Sequence, residues 1–186
     1  LDESIESKRK LQSAAGNRSA PTGSAFALAC KGFIATDRGD VEVADELIEA
    51  SLEAVRGTGH PVAGSCLAFK AVGRVLLGRF EEAITIGSRV QALGERMNGP
   101  YLFGRGRSDS SFAQFMLQGD REALETLHAT TDWLEEKEIR LYISMGQGCL
   151  AEAMVRAGRL DLARRYAEKA LKRADELDRV GEGMAC

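Results

Sequence analysis

Few residues of this 186-residue chain are equipped for chemistry, and their spacing narrows what that chemistry is. The metal-ligating and nucleophilic candidates are two histidines, His60 and His128, and four cysteines, Cys30, Cys66, Cys149 and Cys186. No two cysteines have CxxC or other ligand spacing, which reads as reduced thiols and not as a metal or redox site. His60 stands before Pro61 in "RGTGHP" and reads as a loop or helix-cap residue. His128 reads as a hydrogen-bonded core histidine, with a ligand contact as the alternative. Neither has an i+4 partner that would build a metal pair, and no Ser–His–acid array can be assembled from residues the sequence places close together. The expected catalytic, metal and cofactor sites are therefore none, and an enzyme built around His128 is the weaker reading.

Cations offer a better opening. Lys31 and Lys70 each lie eight residues before a glycine, Arg74 follows Lys70 by one helical turn, and Arg105 and Arg107 stand in "GRGR". Guanidinium and ammonium groups gathered on one face would hold a carboxylate, an acidic peptide or a phosphate. The alternative is that their stems lie along apolar surface while the charged heads reach water. "GRGR" is no phosphate loop, because no strand precedes it and no Lys-Ser/Thr follows. In "ARRYAEKALKRADEL", Arg165, Lys169 and Lys172 share a helix face that reads as solvated, with Glu168 spaced to pair with Lys172.

The formal net charge of -3 gives no general attraction for nucleic acid or an anionic membrane. No apolar stretch approaches the ~20 residues of a membrane span. "LAC" at Leu28–Cys30 follows a basic "KRK", but the apolar run between is too short and broken for export. A cytoplasmic protein is expected. The chain opens at Leu1 without a methionine and closes on "GEGMAC", which reads as the start of another helix; both ends read as cut from something longer.

What must position these residues is a repeat. Gly39, Gly78, Gly119 and Gly158 are separated by 39, 41 and 39 residues, each followed by acidic residues and an alanine. Pro21, Pro61 and Pro100 precede the first three glycines by 18, 17 and 19 residues. Proline suits a helix's first turn, where its missing N–H costs nothing. A glycine ends a helix cheaply by taking positive φ. Each unit therefore reads as helix A, a glycine turn and helix B. Apolar residues recur at helical spacing in the B helices, as Phe80, Ala83, Ile84, Ile86, Val90 and Leu93, and again as Leu160, Ala163, Tyr166, Ala167, Ala170 and Leu171. Cys30, Phe69, Ser110 and Cys149 share one slot of helix A, nine residues before the glycine, which marks the thiols as packing residues. Tyr101, Phe103, Trp133 and Tyr142 read as packing between units, with an exposed aromatic anchor as the alternative. The organisation expected is a remnant helix and linker over 1–20, four hairpins over about 21–60, 61–99, 100–140 and 141–180, and the start of a further helix over 181–186.

Gly78, Phe80 and Ala83, and Gly158, Leu160 and Ala163, resemble the signature of tetratricopeptide repeats, with Ala71 and Ala151 as the small residues of helix A. The resemblance covers about residues 22–180 and is weaker in the first unit, where Val41 replaces the aromatic, and in the third, where Ala123 comes one residue early. It implies an all-α fold of antiparallel helix hairpins stacked in a right-handed superhelical solenoid, with A helices lining a concave groove. The 40-residue unit, "GPYLFGRGRS" and the stretch from "ATTDWLEEKEIR" to "GEG" resemble the C-terminal helical repeats of bacterial class III adenylate or guanylate cyclases and of related ATPase-type regulators. That resemblance implies a non-catalytic segment of a signalling protein. Its groove, with Lys31, Lys70, Arg74, Arg105 and Arg107, would take a protein or peptide, or another domain of the parent chain. Self-assembly, as a homodimer, is the alternative.

Overall fold

The computed structural model describes residues 21–58, 60–140 and 143–176, and among these every regular element is an α-helix. They are α1 (Pro21–Asp37), α2 (Val41–Ala54), α3 (Val62–Leu76), α4 (Phe80–Arg96), α5 (Pro100–Gln118), α6 (Arg121–Glu136), α7 (Ile143–Arg156) and α8 (Leu160–Glu176). This is the all-α, helix-hairpin class that the sequence implies. The expected helices within 1–20 and 181–186, Cys186, and Leu141 and Tyr142 at the opening of the fourth unit lie outside the described residues.

The four period-setting glycines have φ of +81° (Gly39), +68° (Gly78), +71° (Gly119) and +72° (Gly158). A Cβ added at any of them would meet no atom within 4 Å. Backbone handedness alone explains the residue type there, since a side chain at positive φ is disfavoured even in open space. The helices that follow begin with Glu42, with Glu81 and Glu82, with Glu122, and with Asp161, against the positive ends of their dipoles. α2 and α4 have no side-chain cap, whereas α6 has one, Asp120 accepting from the Glu122 N–H at 3.0 Å.

The chain divides into two compact units, Leu1–Gly73 and Arg74–Cys186. In the first, α1 and α2 approach through Gly32, where a Cβ would lie 2.6 Å from Ile48 Cγ1 and 3.1 Å from the Ala44 carbonyl oxygen. The Phe69 ring of α3 packs against Phe26 and Phe33 of α1, at centroid distances of 5.9 and 5.5 Å. His60 caps α3, its Nδ1 accepting from the Val62 N–H at 3.2 Å.

In the second unit a continuous core runs through α4 to α8, including Leu127, Leu150 and Met154, all fully buried. Each such side chain contributes roughly 1.5–3 kcal/mol relative to exposure. The buried alanines Ala83, Ala123 and Ala163 sit where neighbouring helices come close. The tightest approach joins α4 to α5. A Cβ on Gly94 would fall 2.2 Å from Phe103 N, and one on Gly106 would fall 2.3 Å from Gln91 N. Backbone packs on backbone there, with no side chain between.

Two apolar positions differ from expectation. Leu160 and Leu171, read as packing residues of α8, are 64% and 47% exposed. The equivalent Phe80 of α4 meets the Phe112 ring of the next A helix edge-on at 6.2 Å. Among the described residues α8 is the last helix in the order, and no ring contact of the Phe80 kind involves Leu160.

Candidate functional site

The five cations read from the sequence fall into both units and into different environments. In the first unit Lys31 is exposed, while half-buried Lys70 is ion-paired with Glu49 of α2. In the second, the Arg74 side chain is 6% exposed and its Nε donates to Glu82 Oε2 at 2.7 Å. Arg105 departs most from expectation. It is 5% exposed and forms a two-pronged pair with Asp109 on the next turn of α5, Nε to Oδ2 at 3.0 Å and Nη2 to Oδ1. Burial disfavours the charged guanidinium, but the Asp109 charge and hydrogen bonds outweigh it and raise its pKa above the ordinary arginine value. Arg105 is therefore part of the core and not a cation that a ligand could reach. Helix geometry separates it from Arg107, because residues two apart point to different faces. The i+4 spacing of Asp109 was the signal in the sequence that could have found its partner.

Arg107 remains accessible. It is half-buried, its guanidinium carbon lies 5.8 Å from the Phe103 ring centroid, and no carboxylate pairs with it among the described residues. Phe103 in turn meets Trp133 of α6 edge-on at 5.4 Å. These aromatics pack within one hairpin, between α5 and α6, where the sequence reading placed them between units. With Ala129 and Thr130 they line a cleft of about 390 Å³. The Thr130 hydroxyl donates to the Thr126 carbonyl at 2.7 Å, which leaves its oxygen as an acceptor. Aromatic walls, one unpaired guanidinium and one hydroxyl can hold an acidic side chain next to an apolar one.

His128 joins α6 to α8. Its Nε2 lies 2.7 Å from the Tyr166 hydroxyl, which donates to Asp132 Oδ1 at 3.1 Å. Since the hydroxyl proton goes to Asp132, His128 Nε2 must supply the proton of the shorter bond, which fixes its tautomer. Burial, then the Asp132 charge, pushes the Tyr166 phenol up. Asp132, four residues after His128, is the i+4 partner that the sequence reading missed. His128 Nε2 also lies 3.5 Å from Asp132 Oδ2, so the three side chains form one closed network.

The thiols are packing groups. Cys66 is fully buried, Cys30 and Cys149 are half-buried, and none of the three is in a disulfide. Burial raises the pKa of both Cys66 and Cys30, and Cys66 adds to the rise at Cys30, so neither is poised as a thiolate. Among the described residues no group of three or more His, Cys, Asp or Glu side chains could hold a metal ion. Nor is any helix among them long and apolar enough to cross a membrane. On α8, Glu168 pairs with Arg164 at 2.8 Å, and Lys172 lies 4.0 Å from Glu176, so Glu168 takes a different partner from the Lys172 the spacing suggested.

No family model matches the chain, and no curated protein matches it. Among solved structures it is similar to the crystal structure of aspartyl phosphate phosphatase F from Bacillus subtilis, with a TM-score of 0.62 at 14% identity. The match covers 84% of this chain and 42% of that one, so this chain spans less than half of the phosphatase's length. At that identity the likeness establishes the fold, a helical repeat of the tetratricopeptide type.

Proposed function

We propose that this chain is a non-catalytic recognition segment of a larger bacterial signalling protein, such as a class III nucleotide cyclase or a related ATPase-type regulator. It binds a peptide, a partner helix or another domain of the same polypeptide. The observation that carries the reading is the cleft of Phe103, Arg107, Thr130 and Trp133, which combines half-buried aromatic surface with an unpaired cation. Its chemistry fits an acidic residue next to an aromatic or aliphatic one.

Trp133 is the sole tryptophan of the chain and lies in the cleft, so its emission reports occupancy. Panning a displayed peptide library is expected to return sequences with that acidic–apolar pairing, whose binding shifts Trp133 emission. Arg107→Glu should weaken them at least ~10-fold with helicity unchanged, which corresponds to about 1.4 kcal/mol. Lys31→Glu with Lys70→Glu tests the first unit's two cations in the same assay. Selected peptides that bind the Arg107→Glu variant equally well, and leave Trp133 emission unmoved, would sink the reading.

Self-assembly is the second reading, favoured by the exposed apolar side chains Val155, Leu160 and Leu171 at 57%, 64% and 47%. If it holds, light scattering should give a dimer mass that Leu160→Lys with Leu171→Lys reduces to monomer. A monomer mass in the unaltered protein would remove it.

A further inference from the structure

A second cleft, of about 370 Å³, opens at the glycine turns of the second unit and gathers three guanidinium groups. Arg121 begins α6, Arg156 ends α7, and Arg159 directly precedes α8. Phe115 and Leu124, 5% and 2% exposed, form an apolar floor. Arg121 occupies the slot two residues after the turn glycine that Phe80 and Leu160 hold in other units. Phe80 reaches the next A helix from that slot, whereas Arg121 lies beside an open cleft.

The charges there do not balance. Arg121 pairs with Glu125 at 2.9 Å, while Arg156 and Arg159 have no carboxylate partner among the described residues. The nearby Asp120 is already engaged, accepting from the Glu122 N–H and from the Gln114 amide. Helix dipoles do not settle the account either, since each turn joins a negative C-terminal end to a positive N-terminal one. The donors to Asp120 are neutral, so its charge still counts, and the cleft keeps a net charge of about +1 carried by two guanidinium groups that have no carboxylate of their own among the described residues.

We propose that this cleft binds a phosphate monoester. A phosphate monoester carries about −1.5 to −2 at neutral pH and three acceptor oxygens, enough to meet the forked donors of two guanidinium groups at once, where a monocarboxylate offers two. The apolar floor adds a surface for the carbon body to which the phosphate is attached. The same group occurs on small metabolites and on phosphorylated protein side chains, and the cleft's chemistry reads the group itself.

The test is titration at constant ionic strength with phenyl phosphate and with a phosphotyrosine pentapeptide, following the arginine Nε–H resonances. Saturable shifts of Arg156 and Arg159 are expected, tighter for phenyl phosphate than for inorganic phosphate because of the floor. Arg156→Gln with Arg159→Gln should weaken binding at least ~10-fold while the helical signal stays unchanged; both side chains are on the surface and the variant keeps the fold. Tighter binding of the pentapeptide than of phenyl phosphate assigns the source to a protein side chain, and the reverse order to a small molecule. The absence of saturable shifts, or unchanged affinity in the double variant, overturns the proposal. The peptide-cleft variant Arg107→Glu should bind phosphate normally, so the two sites succeed or fail separately.

Discussion

Replacing Gly94 with alanine is expected to destabilise the protein by about 1–3 kcal/mol, the range for forcing atoms into a packed interface. In an exposed helix the same change would stabilise by up to ~1 kcal/mol, because glycine is the poorer helix former. The sign is therefore diagnostic. Here the new methyl would stand 2.2 Å from Phe103 N and 2.7 Å from its Cα, and these are backbone atoms that cannot rotate away. Gly106→Ala should behave alike, with Gln91 N at 2.3 Å and the Gly87 carbonyl oxygen at 2.5 Å. Gly146→Ala is the control, since a Cβ there meets nothing within 4 Å. Urea denaturation followed by circular dichroism reads all three. If Gly94→Ala unfolds at the same or a higher urea concentration than the unaltered protein, the close crossing of α4 and α5 is wrong.

The second large effect concerns Arg105 and Asp109. Arg105→Met should cost about 3–5 kcal/mol, because it strands a carboxylate whose side chain is wholly buried. Asp109→Leu should cost a similar amount by stranding the guanidinium. Arg105→Met combined with Asp109→Leu should recover most of either loss, as neither uncharged side chain requires a partner, less what the bulkier leucine costs in overpacking. The double-mutant cycle isolates the coupling. Two single variants each as stable as the parent would show that the pair is solvated, and Arg105 would return to the roster of cations open to a ligand.

These two regions also mark where the sequence stopped being readable. The turn glycines, the alanines Ala83 and Ala163 and the helix order follow from a period, and a period is visible in one dimension. Gly94 and Gly106 follow no period, because among the described residues the crossing of α4 and α5 is the one where a Cβ would meet backbone at under 2.5 Å. They could be noticed only as glycines inside helices, a composition that ordinarily weakens a helix and so signals close packing. Adjacency in the chain groups Arg105 with Arg107, although a helical turn sends them to different faces. His128 reads as having no metal partner at i+4, although Asp132 stands one turn away. The cleft around Trp133 needed two helices to be laid side by side before its walls met. Arg156 and Arg159 look unremarkable in the chain until the fold brings Arg121 of the preceding hairpin beside them.

The turn glycines have one more consequence. Gly39, Gly78, Gly119 and Gly158 share nearly the same backbone angle and the same empty surroundings. Whatever a left-handed corner costs a chiral residue, a substitution at each would incur it without help or hindrance from neighbours. The chain thus carries near-replicates of one corner, four under one solvent, set between different helices and different flanking side chains.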